Sequence, residues 1–161
     1  MEVNGLDNVT AIRASAFNGC SKLSYIDNTA KVEVIEGSAF SDCSALSIEL
    51  NMPNLQTLEG NVFLRSGITK IVNLGKITTL NGGTFQECLN LTDVNLPSTI
   101  EVIGSNVFSK SINIKCDISN LNNVTGISHE VFRGFTGITG EVNMPKLKNP
   151  NGNTWFQGTG I

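Results

Sequence analysis

Seven of the eight phenylalanines in this chain are evenly spaced. Phe17, Phe40, Phe63, Phe85, Phe108, Phe132 and Phe156 follow one another at intervals of 23, 23, 22, 23, 24 and 24 residues, and only Phe135 falls outside the series. A single closed core gives no reason to set its largest apolar residues so regularly. A solenoid does, because each coil must offer the same filler at the same depth to the coils on either side.

Neighbouring positions recur in phase with the rings. Five residues before come Ile12, Ile35, Leu58, Leu80, Ile103 and Ile127; three after come Cys20, Cys43, Ser66, Cys88, Ser111 and Phe135. About six after, an aliphatic returns as Leu23, Leu46, Ile68, Leu91, Ile114 and Ile138, with Ile68 one place early. Each unit reads as three pieces. The first is a single helical turn around the Phe, capped by Ser15, Ser38, Asn61 or Asn106 and bent at Gly37, Gly60 or Gly82. The second is a short strand whose alternation turns Leu23, Ile26, Val94, Leu96, Val142 and Met144 inward. The third is a return segment. The spacing predicts an α/β solenoid of about seven coils of about 23 residues, with short parallel strands and single helical turns. All of 1–161 is expected to form one domain, cut from a longer array.

The same alternation predicts which side chains leave the sheet. They are Tyr25 and Asp27, Glu49 and Asn51, Lys70 and Val72, Asp93 and Asn95, Lys115 and Asp117, Glu141 and Asn143. These form two columns with a mildly acidic balance and one aromatic. A one-residue slip in the second, third or sixth unit would exchange the two faces.

Composition narrows the function classes. Charged residues make up 16% and the net charge is −3, so no basic field steers the chain toward nucleic acid. No apolar run is long enough to span a membrane. The start, Met-Glu-Val-Asn-Gly, lacks the basic and apolar regions of a secretory signal, which leaves the compartment open. Cys20, Cys43 and Cys88 share one repeat position and are expected to be free thiols in the core, with Cys116 elsewhere on its coil. No Cys-x-x-Cys pair suggests a metal or redox site.

The phased pattern Ile-x-x-x-(Ala/Val)-Phe-x-x-Cys-x-x-Leu-x-x-Ile-x-Leu-Pro resembles the BspA-like leucine-rich repeat family. It is clearest at Ile12–Ile26, Ile35–Leu50 and Leu80–Ile103, and it departs from the family where Ser66 and Ser111 replace Cys and where Asn151 replaces the Ile. The resemblance implies a curved solenoid on an exported bacterial or protist protein, at the cell surface or secreted. It implies adhesion to a surface or matrix protein, or a glycan, of a host or another microbe. It brings no catalytic residue and no cofactor. The chain is expected to act as a monomeric binding module whose ligand face is the set of outward residues named above.

Two other readings stay open. A parallel β-helix enzyme acting on carbohydrate would need clustered carboxylates, and Asp93, Asp117 and Glu141 are the set to watch, with Lys115 beside them. An intracellular scaffold would also suit free cysteines. His129 has no nucleophile in a recognisable motif and reads as an exposed turn residue. Tyr25 and Trp155 are possible contact anchors, although Trp155 also suits closure of the last coil. Asn8, Asn90 and Asn123 head glycosylation triplets that matter only in a eukaryotic secretory host.

Overall fold

The structure, a computed structural model, describes residues 1–117, 120–135, 137–139, 143–150 and 154–159. Its strands are, in order, β1 (Glu2–Val3), β2 (Ala11–Ile12), β3 (Tyr25–Ile26), β4 (Val34–Ile35), β5 (Glu49–Asn51), β6 (Thr57–Leu58) and β7 (Lys70–Asn73). The remainder are β8 (Thr79–Leu80), β9 (Asp93–Val94), β10 (Val102–Ile103), β11 (Lys115–Asp117), β12 (Gly126–Ile127), β13 (Gly137–Thr139) and β14 (Asn149–Pro150). All pairings are parallel. The chain is a parallel β-solenoid of about five turns, as the five-stranded sheet β5-β7-β9-β11-β13 shows. Seven coils all contributing to one sheet are not seen among the described residues.

The rings form the predicted column. Successive Phe rings from Phe17 to Phe156 stack with centroids 5.1 to 6.0 Å apart and planes within 12° of parallel. That spacing lies in the range of offset stacking and close to the strand separation. Phe40, Phe63, Phe85, Phe108 and Phe132 are fully buried, whereas Phe17 and Phe156 are half-buried. Phe135 takes the place of the Cys or Ser of other coils and packs against Phe108 and Phe132.

The expected helical turn does not form; no helix occurs among the described residues. The backbone around each Phe splits its hydrogen bonds between two directions. The N–H groups of Ser38, Phe40 and Asp42 donate to Gly60, Val62 and Leu64 of the next coil, while those of Ala39, Ser41 and Cys43 donate three residues back. A helix would keep its N–H groups bonded within its own coil, leaving none to hold the coils together at this edge. The alternation needs left-handed backbone twice per turn. Ser15, Ser38, Asn61 and Asn106, expected as caps, have φ of 55 to 58°, and Asp42, Arg65, Glu87 and Lys110 two places after the Phe have φ of 53 to 64°. Each such residue costs of order 1 kcal/mol, offset by the inter-coil bond its N–H makes. Gly82, expected as a sharp bend, is glycine for another reason: an added Cβ would sit 3.1 Å from Ser105 O of the next coil.

The return segment is itself a strand. Ile12, Ile35 and Leu58 lie in register in the sheet β2-β4-β6, and Leu80, Ile103 and Ile127 in the sheet β8-β10-β12-β14. These residues are buried, so the core lies between the long sheet, the return sheets and the turns.

Candidate binding face

On the long sheet, register brings Glu49, Lys70, Asp93 and Lys115 side by side in one outward row. All four are exposed, and Lys70 Nζ lies 3.6 Å from Glu49 Oε1. The signs alternate coil by coil. Residues at one position in stacked coils sit about 5 Å apart, so like charges there would repel and alternating ones offset each other. The acidic bias expected of this face is therefore absent from this row.

The second outward row holds Asn51 and Asn95, with the half-buried Asn73 opposite Asn51. A register shift between Leu50 and Asn51 sets Asn51 against Asn73, not Val72, and Asn95 Nδ2 donates to Val72 O at 3.1 Å. Val72 is exposed beside them.

Three expected members fall elsewhere. Tyr25 is exposed on β3, but β3 pairs with β1 and not with β5, so the first-coil column does not continue into the long sheet. Asp27 is half-buried because its carboxylate accepts the N–H groups of Gly5 and Leu6, at 2.8 and 3.1 Å, and ties down that loop. The sixth strand is Gly137–Thr139, four residues ahead of the expected one. Gly137 lacks the Cβ that would collide with Ile114 O, so the chain settles onto β11 early, with Ile138 opposite Cys116. Asn143 is consequently exposed outside any strand, and Glu141 lies outside the described residues.

Of the expected carboxylate trio, register sets Asp93 and Asp117 at different positions, and Glu141 lies outside the described residues. Asp93 lies opposite Lys115, whereas Asp117 lies in the other row opposite Thr139. No three of His, Cys, Asp and Glu gather into a metal-binding group among the described residues. His129 is an exposed turn residue with Nδ1 3.3 Å from Ser105 Oγ. Trp155 is half-buried against the core, with its indole N–H buried and unpaired.

A second alternating row, which sequence reasoning missed, runs along the turn edge through Asp42, Arg65, Glu87 and Lys110. Arg65 grips Asp42 with two hydrogen bonds of 2.6 and 3.0 Å, and Lys110 reaches Glu87 at 3.0 Å. The Arg65 guanidinium holds the Asp42 carboxyl below the usual range, and the carboxylate in turn raises Arg65. In both rows coils two and four supply acids and coils three and five supply bases. The signal was in the sequence, two residues after each Phe, but reading it required knowing that this position points outward.

The shared Cys and Ser position has a role beyond filling space. Cys43 Sγ donates to Phe17 O and Cys88 Sγ to Phe63 O, both at 3.0 Å, and Ser111 Oγ donates to Phe85 O at 2.7 Å. Each small donor satisfies the carbonyl of the previous ring-bearing residue. Burial pushes the thiols of Cys43 up to about 11 and of Cys88 up to about 12, so they stay protonated and inert. Cys20, Cys43 and Cys88 are all free.

Irregular coils create the concavities. The third coil is one residue short, and Gly67 is pressed against the carbonyls of Ser44 and Leu46. This leaves a notch of about 430 Å³ lined by Arg65, Ser66, Glu87, Leu89, Asn90 and Lys110, among others. A second cleft, of about 410 Å³, lies between the first and second coils at Tyr25 and Glu49.

The sequence profile of the BspA type leucine rich repeat region matches residues 2–115 in six copies. The chain belongs to the BspA-type leucine-rich repeat family. Solved structures agree at the level of fold. A leucine-rich repeat protein from Bacteroides ovatus ATCC 8483 is 20% identical with a TM-score of 0.63, over 84% of this chain and 41% of its own. The Treponema pallidum leucine rich repeat protein is 19% identical with a TM-score of 0.65, over 83% of this chain and 75% of its own. A leucine rich cell surface protein from Faecalibacterium prausnitzii A2-165 is 23% identical with a TM-score of 0.68, over 86% of this chain and 37% of its own. The chain thus spans less than half the length of the first and third of these. No curated protein matches the sequence. Among the described residues no helix is long and apolar enough to cross a membrane.

Proposed function

We propose that this chain is a non-enzymatic recognition module of a secreted or surface-displayed protein, and that it binds a partner protein on the outer face of the long sheet. The observation that carries this reading is the row Glu49-Lys70-Asp93-Lys115, presented at the regular spacing of paired strands. Preorganised charge of alternating sign gives specificity and register to a partner more than raw affinity. The outward amides and Val72 supply hydrogen bonds and modest apolar area beside it. Leucine-rich repeats are commonly used for protein binding, and the Faecalibacterium relative is described as a cell surface protein, which supports the proposed location. The module acts as a monomer, and its partner is a surface or matrix protein of a host or neighbouring microbe.

The test inverts the row as a whole: Glu49→Lys, Lys70→Glu, Asp93→Lys and Lys115→Glu together. Alternation is kept, so stability should hold, while the pattern shown to a partner is reversed. Immobilised chain is first screened against purified matrix and mucus proteins. The inverted chain should lose at least about tenfold in affinity for any protein captured. Unchanged affinity would show that the sheet is the wrong face.

A further inference from the structure

On the side of the long sheet the ladder is interrupted between β3 and β5, where neighbouring strands fail to pair. Ile26 follows Phe17 by nine residues, and the equivalent Leu50 follows Phe40 by ten. One rung survives before the gap, from Ser47 N–H to Ser24 O at 3.2 Å, and beyond it Asn54 Nδ2 closes onto Ala30 O at 2.8 Å. The cleft of about 410 Å³ occupies this seam, at the small end of the size range of ligand sites.

Its lining is unlike the rest of the surface. Tyr25 is 46% exposed and is the only exposed aromatic among the described residues. Around it stand the hydroxyls of Thr29 and Ser47, the Asn51 amide and the Glu49 carboxylate. The cleft wall is held in place from behind, since Asp27 accepts the Gly5 and Leu6 amides and Asn28 Nδ2 donates to Asp7 at 2.6 Å.

These features select among occupants. A continuous peptide strand cannot run through the seam, because its two ends are tied shut. An apolar side chain would meet Ile26, Ala30 and Ile48 but would leave the polar groups interspersed with them unpaired, which is costly. A cation would find Asp27 already committed to backbone amides and Glu49 already facing Lys70. An anion would meet the same two carboxylates. A compact neutral polyol entering from the outer face fits. The negative face of an aromatic ring attracts the polarised C–H face of a pyranose, and planar amide and carboxylate groups with hydroxyls take its equatorial O–H groups.

We propose that the seam between the first and second coils is a binding site for one neutral sugar residue, stacked on Tyr25 and hydrogen-bonded by Glu49 and Asn51. This deepens the recognition reading above, in that the sugar would be borne by the partner, and it rests on that reading only for this biological setting.

The experiment is an amide-resolved NMR titration of the whole chain with methyl pyranosides of glucose, galactose, mannose and N-acetylglucosamine. Saturable shifts in the millimolar range at Tyr25, Ser47 and Asn51 are expected with at least one of them. Tyr25→Ala and Asn51→Ala should each weaken that sugar by about tenfold or more while leaving the remaining spectrum folded. Tyr25 is a surface residue, so its loss should not unfold the chain. No saturable shift with any of these sugars, shifts centred elsewhere, or full affinity in Tyr25→Ala would each overturn the proposal. Such a failure would leave intact a partner interaction that Lys70→Glu, Asp93→Lys and Lys115→Glu together abolish with Glu49 kept, so the two readings fail separately.

Discussion

Coils four and five differ from coils two and three in a way that separates scaffold from surface. In the fourth and fifth, around Phe85 and Phe108, Ser111 Oγ bridges Cys88 N and Phe85 O, and the strands pair without a register shift. In the second and third, one coil gains a residue before its strand and the next loses one after its ring. The seam, the strand irregularity at Leu50 and Asn51, the notch beside Gly67 and the unpartnered buried hydroxyl of Ser66 all follow there. A solenoid of equal coils has an even surface. Concavity, and with it room for a ligand, lies in this irregular part.

The contrast can be broken most severely in the regular half. Phe85→Ala should destabilise by about 3–5 kcal/mol, because rings on both sides leave no way for the space to collapse. Phe17→Ala, at a half-buried end ring, should cost clearly less. Equal losses in chemical denaturation would mean that the stack is not the source of stability.

Next in size is Gly67→Ala. Other coils carry Ser21, Ser44, Leu89 and Ile112 at that position, yet here a Cβ would press into the Ser44 carbonyl and lie 3.0 Å from Leu46 O. A loss of about 1–3 kcal/mol is expected, while Ser44→Ala in the longer second coil should be near neutral.

The serines sharpen the same comparison at smaller scale. Ser111→Ala orphans a buried N–H and a carbonyl and should cost about 1–3 kcal/mol. Ser66→Ala removes a buried hydroxyl that has no partner and should be neutral or slightly stabilising. Thermal midpoints measured on the two variants would decide this, and a larger loss at Ser66 would contradict the assignment.

Acid and base probe the weakest effects. The Asp42 carboxyl is depressed in the fold, so its contribution is present above the unfolded carboxylate pKa and fades as pH falls through the lower folded value. Asp42→Asn should flatten that acid limb while changing neutral stability by no more than about 1 kcal/mol. The buried thiols have the opposite sign. With folded values of about 11 and about 12, stability is full below the ordinary thiol pKa and declines as pH climbs past it. Denaturation curves taken up the alkaline range should show a decline that Cys43→Ser with Cys88→Ser reduces.

Much of this was readable beforehand because stacking copies one requirement into every coil. The column of rings, the inward Leu23, Ile26, Val94 and Leu96, and the outward Glu49, Lys70 and Asp93 all follow from period and alternation. The helical turn was misread because Ser and Asn before the Phe suit both a cap and a left-handed residue, and only the neighbouring coil's carbonyls choose between them. The sixth strand was misplaced because Val142 and Met144 alternate plausibly, while the absence of a Cβ at Gly137 matters only once β11 is beside it.

The amino-acid order alone determined that the chain would coil, what would fill the coil and which family it joins, since these depend on residues repeating at one local spacing. The tertiary structure alone decided which strands pair, where they part at Tyr25 and which charges meet across coils. Those outcomes depend on backbone and side-chain contacts between coils, which exist only when two coils are laid against each other.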